Sequence, residues 1–447
     1  MKTYQDMLEA RNIVDFVKSA IQDHKNSADY KYAVDADKYA RGKNVAIAKY
    51  KKLLYTLSGR AVPDNYSANH KCSTNIFQRL IRQQTSYQLS NGVFFENEST
   101  KTAIDENFDT KLYNACKTAL TESVAFCFVN YDTVQYFGLS EFVPIYDEET
   151  GVLMAGIRFW QLADDKPLRA TLFEIDGKTE LRYHSGKSEI IAEKEAYVKT
   201  LGVFENGDSI LYGDENYSNL PIIPLYASEL KQSELVPIKS QIDAFDLIKS
   251  GFANDLDDAS MIYWTIDNAG GMDDIDLAKF VQHMKTVKAA VIDGDAGTKA
   301  EAHTLEVPYQ SRETYLNRLE KDIIKDYGGL DVELLQAGNT TATQIKAAYE
   351  AIEQKCDEME FCLITHILAI LSLKGIQDYP TFKRSRIANE TEQTQMVLQS
   401  ASVLDTETIL RKLPFITDTE VPEILERLNK EEINLSVDGD DDDAIIG

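Results

Sequence analysis

Two groups of closely spaced carboxylates are the residues of this sequence best suited to chemistry. They are Asp255, Asp257 and Asp258 in NDLDDAS, and Asp273, Asp274 and Asp276 in GMDDID. Asp255 and Asp258 share one face of a predicted helix, and carboxylates grouped in this way hold the metal ions of two-metal nucleases. Neither group has a nearby Lys, His or Glu-x-Lys pattern to complete such a site, and Asp273 stands where a helix N-cap is expected. The spacing favours capping and solvation, with a carboxylate-dependent metal nuclease as the alternative.

Short catalytic motifs are absent from the rest of the sequence. There is no GxxxxGK[ST] or GxGxxG phosphate loop, no GxSxG nucleophile turn and no HExxH zinc motif. The six histidines are scattered, and His366 falls on the apolar side of a predicted helix, as a core histidine would. The DGDDDD run lacks the glycine and closing glutamate of a calcium loop and is typical of a solvated tail. We therefore expect no enzymatic activity, no cofactor and no metal.

Charge is unevenly distributed along the 447 residues, whose net charge is −26. Such acidity disfavours a conventional DNA-binding protein, because affinity for DNA comes from Lys and Arg that neutralise phosphates. From Lys38 to Phe95, however, ten basic residues stand against one acid, Asp64. The ten are Lys38, Arg41, Lys43, Lys49, Lys51, Lys52, Arg60, Lys71, Arg79 and Arg82. We favour pairing of this segment with acidic surfaces of a neighbouring subunit over contact with DNA.

Cysteine usage and hydropathy argue against a disulfide-bonded protein and a membrane protein. The five cysteines form no CxxC pair, which is typical of reduced, buried thiols. No run approaches 18 apolar residues, so we expect no transmembrane helix and no membrane partner. The first sixteen residues carry acids and lack an apolar signal core, so we expect no export.

Apolar spacing predicts an α+β body followed by a helical stalk. Residues 1–95 and a segment near 109–123 show helical spacing. The sequence from there to about residue 227 is rich in β-forming residues, with Asp176-Gly177 as a predicted two-residue hairpin turn. Helices return from Pro237, which suits the first turn of a helix.

A small αβ segment lies between two predicted helices of about twenty residues, each therefore about 30 Å long. The apolar stripe of the first helix contains Ile238, Ile242, Phe245, Ile248, Phe252 and Leu256, and that of the second contains Leu316, Leu319, Ile323 and Tyr327. Between them, MIYWTIDNAGG predicts a strand, MDDIDLAKFVQHMKT a short helix and KAAVIDGDAG another strand. Two long helices that flank a compact module predict a stalk with a head.

An uncharged segment separates this stalk from a long predicted helix. Gly328 and Gly329 end the second stalk helix, and the twelve residues between Glu333 and Lys346 carry no charge. The apolar positions of the long helix are Ile345, Tyr349, Ile352, Cys356, Met359, Leu363, Ile367 and Ile370. Two short helices and a disordered acidic tail are predicted to follow.

The order of these elements resembles that of the portal proteins, the head–tail connectors of long-tailed double-stranded DNA phages. Similar segments in the first half are YARGKNVAIAKYKK, NHKCSTNIFQRLIRQQTSYQLSNGVFF and VPIYDEETGVLMAGIRFW. Farther along they are LPIIPLYASELKQSELVPIKSQIDAFDLIKSGFANDL, EVPYQSRETYLNRLEKDIIKDYGGLDV, TTATQIKAAYEAIEQKCDEME and SVLDTETILRKLPFITDTEVPEILERLNKEE. The resemblance covers nearly the whole chain in order. It departs at Thr341-Ala342-Thr343, where family members often carry Ser-Gly-x-Ala.

The resemblance implies a mainly helical α+β portal fold that assembles as a ring of about twelve subunits around a central channel. Its parts would be wing, stem, clip and crown. They map onto 1–237 (wing), 238–259 (first stem helix), 260–308 (clip), 309–327 (second stem helix), 328–343 (tunnel loop), 344–375 (long wing helix) and 376–447 (crown and acidic tail). The clip would face terminase and the head-completion adaptor, with Tyr263, Trp264, Asp273, Asp274 and Asp276 as its candidate interface residues.

The uncharged segment would then project into the channel as the tunnel loop. Its candidate DNA-facing residues are Leu334, Leu335, Gln336, Gly338, Asn339, Thr340 and Thr341, with Gly328 and Gly329 as loop hinges. One Lys in each subunit would present about a dozen cations to a duplex that carries one negative charge per ~1.7 Å, and would hold it. An uncharged loop can contact DNA without arresting it.

The function implied by the resemblance is that of a structural conduit for DNA. The protein would occupy one capsid vertex of the virion, after assembly in the host cytoplasm, and pass double-stranded DNA during packaging and ejection. Its partners would be further copies of itself, the terminase large subunit, the head-completion adaptor, and the major capsid and scaffolding proteins. The alternative from another class is a carboxylate-dependent metal nuclease of phage DNA processing that uses Asp255, Asp257 and Asp258.

Overall fold

The computed structural model describes most of the chain. The described residues are 2–55, 59–64, 68–184, 187–203, 209–259, 263–266, 300–303, 309–332, 342–384, 397, 399, 404–413, 416 and 421–428. The chain divides into two compact units, residues 1–384 and 385–447. Both helices and strands are well represented, so the α+β prediction is confirmed.

Ten described helices belong to the first unit. They are α1 (Tyr4–Leu8), α2 (Ile13–Asn26), α3 (Ala28–Ala40), α4 (Val45–Lys49), α5 (Ile76–Leu89), α6 (Ser99–Ile104), α7 (Phe108–Glu122), α8 (Lys239–Ala259), α9 (Tyr309–Tyr327) and α10 (Ala342–Lys374). Each of the first four begins at a polar residue whose side chain accepts a hydrogen bond from the first turn: Thr3, Asn12, Ser27 and Asn44. The predicted helices at 109–123, 309–327 and 344–375 therefore exist, with ends that differ by at most two residues.

The β-rich region contains a five-stranded antiparallel sheet. In spatial order its strands are β10 (Lys187–Glu195), β9 (Gly177–His184), β8 (Leu168–Glu174), β7 (Leu153–Trp160) and β6 (Phe142–Tyr146). The hairpin between β8 and β9 was predicted one residue out of place. Glu174 pairs with Gly177, so Ile175 and Asp176 are the turn residues. Gly177 begins the next strand with φ +147°, where an added Cβ would lie 2.5 Å from the carbonyl oxygen of Glu195.

A three-stranded sheet packs against the helices. Its order is β13 (Ile222–Tyr226), β4 (Val124–Asn130) and β5 (Thr133–Gly138), all antiparallel. The remaining described strands form two-stranded ladders: β1 (Leu53–Tyr55) with β2 (Ala61–Pro63), β3 (Val93–Phe94) with β16 (Thr381–Phe382), β11 (Val198–Val203) with β12 (Ser209–Glu215), and β14 (Tyr263–Ile266) with β15 (Ala300–His303).

The largest core joins the helices to the three-stranded sheet. Helices α5, α7, α8, α9 and α10 contribute apolar side chains to it, together with β4, β5 and β13. The predicted stripe of α10 faces inward, and Tyr349, Ile352, Cys356, Met359, Leu363, Ile367 and Ile370 are all buried. A second core lies between helices α1 and α2 and the five-stranded sheet.

The stripe predicted for α8 is buried only over its first half. Ile238, Ile242 and Phe245 are buried, whereas Leu256 is 53% exposed. Helix α8 extends beyond the core, so the same face passes from protein to solvent along its length.

In the second unit, residues Thr406–Lys412 and 421–428 form two short helices, as predicted. Helix α11 (Thr406–Lys412) begins at Asp405, whose carboxylate accepts from the Thr408 amide at 3.0 Å. Residues 421–428 form helix α12. The predicted acidic tail lies outside the described residues.

Candidate functional site

Helices α8 and α9, the two helices predicted to form a stalk, pack as an antiparallel pair. Gln241 near the start of α8 donates to Asp326 near the end of α9. Asp255 near the end of α8 forms an ion pair with Arg312 near the start of α9. The Arg312 guanidinium also lies 6.0 Å from the ring centre of Phe252. Polar contacts thus fasten the two helices at both ends.

The antiparallel arrangement continues beyond the helices into a β-ladder. Tyr263 pairs with His303 and Ile266 pairs with Ala300, so β14 leads away from α8 and β15 leads back toward α9. The candidate clip residues Tyr263 and Trp264 are part of β14. The other three, Asp273, Asp274 and Asp276, lie outside the described residues, as do the helix and second strand predicted between 268 and 298.

The carboxylates proposed for the alternative nuclease site have protein partners. Asp255 is paired with Arg312, and the Asp257 carboxylate lies 2.5 Å from Nε2 of His70. The Asp258 side chain lies outside the described part. Among the described residues, no group of three or more His, Cys, Asp or Glu could hold a metal ion. These contacts fit structural roles for Asp255 and Asp257.

A line of polar side chains on α8 contacts the amino-terminal region. Its members are Asp243, Asp246, Ser250, Asn254 and Asp257, spaced three or four residues apart and therefore on one face. They bond respectively to the Tyr39 hydroxyl, the Asn44 amide, the Cys72 and His70 backbone amides, and the His70 ring. This line of contacts was not predicted. Its three- and four-residue spacing is visible in the sequence, but nothing in the sequence marks its partners.

The chain leaves α9 through a two-glycine cap, ahead of the uncharged segment. Gly328 has φ +74°, the left-handed conformation that glycine adopts at the end of a helix. Its amide donates to Lys325 O at 3.0 Å, and the Gly329 amide donates to Ile324 O at 2.9 Å. The backbone at Gly329 passes close to α5, since an added Cβ would lie 2.8 Å from Cδ2 of Leu80. The structure thus gives both candidate hinge residues a defined place at the helix end.

Gln83 of α5 holds the next residue by its backbone. The Gln83 amide donates to Leu330 O at 2.9 Å, and the Leu330 amide donates to Gln83 Oε1 at 2.9 Å. The Leu330 side chain is buried among Tyr87, Tyr349 and Ile352. We call residues 327–330 the foot of the uncharged segment.

Two further side chains fix Tyr327 at the start of the foot. The Tyr327 hydroxyl donates to Gln84 Oε1 at 2.6 Å. The Lys355 ammonium lies 3.5 Å from the centre of the Tyr327 ring and donates to Tyr327 O at 2.6 Å. Lys355 also forms an ion pair of 2.5 Å with Glu234, and both side chains are mostly buried. Helices α5 and α10 therefore hold the foot from two sides.

A surface cleft of about 430 Å³ lies beside the foot. It lies between α5 and α9, and Leu330, Asp331 and Val332 line one side of it. The candidate DNA-facing residues from Leu334 to Thr341 lie outside the described residues, so their role stays a prediction.

His366 is a core histidine, as predicted. Its Nδ1 lies 3.1 Å from Pro224 O, and its Nε2 lies 3.2 Å from the Tyr136 hydroxyl. Because a carbonyl only accepts, Nδ1 carries the proton and Nε2 accepts from Tyr136. Burial lowers the pKa of His366 to about 4, so the ring is neutral at physiological pH.

Comparison with known protein families identifies the family of this chain. Residues 20–434 match the family described as phage portal protein, SPP1 Gp6-like. The chain belongs to this family of phage portal proteins. It is 27% identical over 410 residues to the portal protein of Clostridium phage phiCD119, an alignment that covers 84% of this chain and 88% of that protein.

Among solved structures, a chain from the virion of a native gene transfer agent particle is similar over 74% of this chain and 88% of its own length. The sequence identity is 10% and the TM-score is 0.41.

No helix in the described part of the portal protein is long and apolar enough to cross a membrane. The match over residues 20–434 confirms the predicted family. Portal proteins are structural proteins of phages.

Proposed function

We propose that this portal protein forms a ring, with about twelve subunits, around a channel at one vertex of the capsid. Double-stranded DNA passes through this channel during packaging and again during ejection. The observation that carries the proposal is the family match over residues 20–434, which spans every described element from α2 to α12 except the beginning of α2.

The antiparallel pair of α8 and α9 supports a stem in this ring. The β14–β15 ladder at its far end supports a clip that docks the terminase large subunit and, later, the head-completion adaptor and tail proteins. A pair of helices tied at both ends by Gln241–Asp326 and Asp255–Arg312 suits a part that must transmit force without separating.

The uncharged segment supports a tunnel loop that faces DNA. It begins shortly after the foot, beyond Asp331, Val332 and Glu333. The foot is fixed to the body by Gln83, Gln84 and Lys355. In a ring, this arrangement sets a dozen identical uncharged segments at one level of the channel. Steric contact without charge lets the duplex slide.

The proposal is tested by adding charge to the loop. Asn339→Lys, or Thr341→Lys, would place about a dozen cations around the duplex and should impair DNA packaging while rings still assemble. Leu162→Lys is the matched control, because it adds the same charge at a side chain that is 88% exposed on the five-stranded-sheet region. Normal packaging by the loop variants, with rings that contain them, would contradict a DNA-facing loop.

A further inference from the structure

Two exposed patches of opposite charge on this chain carry large apolar side chains. The first, here the basic patch, contains Lys49, Tyr50, Lys51 and Leu53 at the end of α4 and the start of β1. Tyr50 is 44% exposed and Leu53 is 46% exposed. Lys71 extends the patch, because its ammonium donates to Ala48 O at 2.8 Å.

The second, here the acidic patch, contains Glu229, Leu230, Glu358 and Phe361. Leu230 is 73% exposed and Phe361 is 71% exposed. The Glu229 amide donates to Glu358 Oε1 at 3.4 Å, which brings the loop after β13 beside the middle of α10. Phe361 lies one turn beyond Glu358 on the same helix, so the apolar and acidic side chains form one surface.

The charges of the two patches have no ionic partners in the described part of the chain. Lys49 and Lys51 form no ion pair with any described residue, and neither do Glu229 and Glu358. Lys231 lies two residues after Glu229, and its ammonium is 4.7 Å from the ring centre of Tyr226. Exposed Leu and Phe side chains beside charged ones are typical of a protein interface.

We propose that the basic patch of one subunit docks on the acidic patch of the next subunit. Tyr50 and Leu53 would pack against Leu230 and Phe361, with the lysines opposite the glutamates. All of these side chains are exposed, so the two patches do not cover each other within one chain. A contact between two different surfaces of identical chains is heterologous, and it closes into a ring when the rotation allows. The inference rests on the proposed ring and names its interface.

A second copy fits the basic patch better than DNA does. DNA binding needs cations that reach phosphates, whereas this patch also exposes Tyr50 and Leu53, two large side chains without charge. The same chain also supplies a surface of opposite charge and similar apolar content. Charge complementarity of this kind fixes the orientation of partners and suppresses wrong pairings.

Two complementary variants test the interface. In the first, Lys49→Glu and Lys51→Glu make both patches acidic. In the second, Glu229→Lys and Glu358→Lys make both patches basic. Each variant alone should assemble poorly, with the concentration for half-assembly raised on the order of tenfold or more, because like charges meet at every interface. The defect should shrink in about 1 M salt, where the Debye length is only ~3 Å.

Mixing the two variants is the decisive step. In the mixture, the basic patch of the first variant, which now carries glutamates, meets the acidic patch of the second variant, which now carries lysines. The unchanged basic patch of the second variant meets the unchanged acidic patch of the first, so rings should form again with equal numbers of both chains. Native mass spectrometry of the mixture, with the two chains differing in mass, reads this stoichiometry directly. Assembly on mixing also shows that both variants are folded. Lys18 is an exposed lysine of α2 outside both patches. Lys18→Glu therefore controls for a charge reversal elsewhere on the surface and should assemble like the native chain.

The possible outcomes separate the interface from the proposed function. Normal rings from either variant alone, or no rescue on mixing, would overturn the interface while the ring itself stands. Loss of duplex-DNA binding with unchanged ring assembly would assign the basic patch to DNA instead. If the native chain forms no ring at any concentration or salt, the proposed ring is contradicted, and this interface with it.

Discussion

Gln83 and Leu330 lie 247 residues apart in the sequence and are joined by two hydrogen bonds of 2.9 Å. One side-chain amide satisfies both backbone groups of a residue that follows a helix end. Because these groups have left the helix, they would otherwise need water or another partner. The contact couples the foot of the uncharged segment to helix α5.

Replacing Gln83 should release the foot. Gln83→Met removes both hydrogen bonds and keeps a side chain of similar size, so unfolding should require about 1–3 kcal/mol less free energy. Amide exchange at Leu330 should be about tenfold faster. Gln83→Glu keeps the acceptor and loses the donor. Its free energy of unfolding and its Leu330 exchange rate should lie between those of the native chain and Gln83→Met. Gln78→Met on the same helix is the control. Equal protection of the Leu330 amide from exchange in both Met variants would show that the Gln83 hydrogen bonds contribute nothing.

Gly328 should resist substitution although it has room for a side chain. The nearest atom to an added Cβ is Cδ of Lys355 at 3.5 Å, so the cost comes from its φ of +74°. Gly328→Ala should therefore lower the free energy of unfolding by about 1–2 kcal/mol. Gly251→Ala in the middle of α8 should instead raise it by about 0.5–1 kcal/mol, because nothing lies within 4 Å of its Cβ position. Urea denaturation of both variants checks the difference in sign.

The pKa of His366 should make the protein less stable in mild acid. Its pKa is lowered to about 4 by burial, against 6.5 when unfolded. A lowered pKa means that the folded state resists protonation, so stability is lost as the pH falls from 6.5 toward 4. The loss at pH 4 is about 3 kcal/mol. His366→Gln should flatten this slope. An unchanged slope would indicate that His366 has the same pKa in the folded and unfolded protein and would contradict the lowered pKa.

Glu122 should change the stability in the opposite direction over an overlapping pH range. Burial raises its pKa to about 7, even though the Ser140 amide and hydroxyl donate to its carboxylate at 2.8 Å and 3.0 Å. A raised pKa means that stability is present below pH 4.5 and is lost as the pH rises toward 7, by about 3 kcal/mol.

The two groups should largely offset each other between pH 4.5 and 6.5 in the native chain. Glu122→Gln should remove the loss above pH 4.5 and expose the acid sensitivity of His366. Denaturation at a series of pH values, on the native chain and on each single variant, measures both slopes. Equal slopes for the native chain and Glu122→Gln would contradict a shifted carboxyl.

Sequence patterns predicted most of the helical architecture because local periodicity determines it. The stripe of Leu319, Ile323 and Tyr327 and that of α10 are buried as expected, since burial follows from apolar spacing. The turn at Ile175-Asp176 was misplaced by one residue because Asp-Gly is a strong turn signal, and here glycine serves the close approach to Glu195 instead. Strand β15 was missed because AEAH has neither β-branched nor aromatic residues.

The contacts that position the candidate site were not predictable from the sequence. Gln83, Gln84 and Lys355 stand among ordinary polar residues of amphipathic helices, and their partners are far away in the chain. Only tertiary packing brings Lys355 over the ring of Tyr327. The resemblance to the portal family, in contrast, was visible in the sequence, because it depends on the order of the segments along the chain and not on any tertiary contact.

Native mass spectrometry of the purified chain, with electron-microscope images of the same sample, tests the central claim most directly. The chain has a mass of 50.4 kDa, and the proposed ring of about twelve copies should appear near ~600 kDa with a central hole in end-on views. A species of 50.4 kDa that persists at every concentration and salt, with no ring in the images, would contradict a ring-shaped DNA channel.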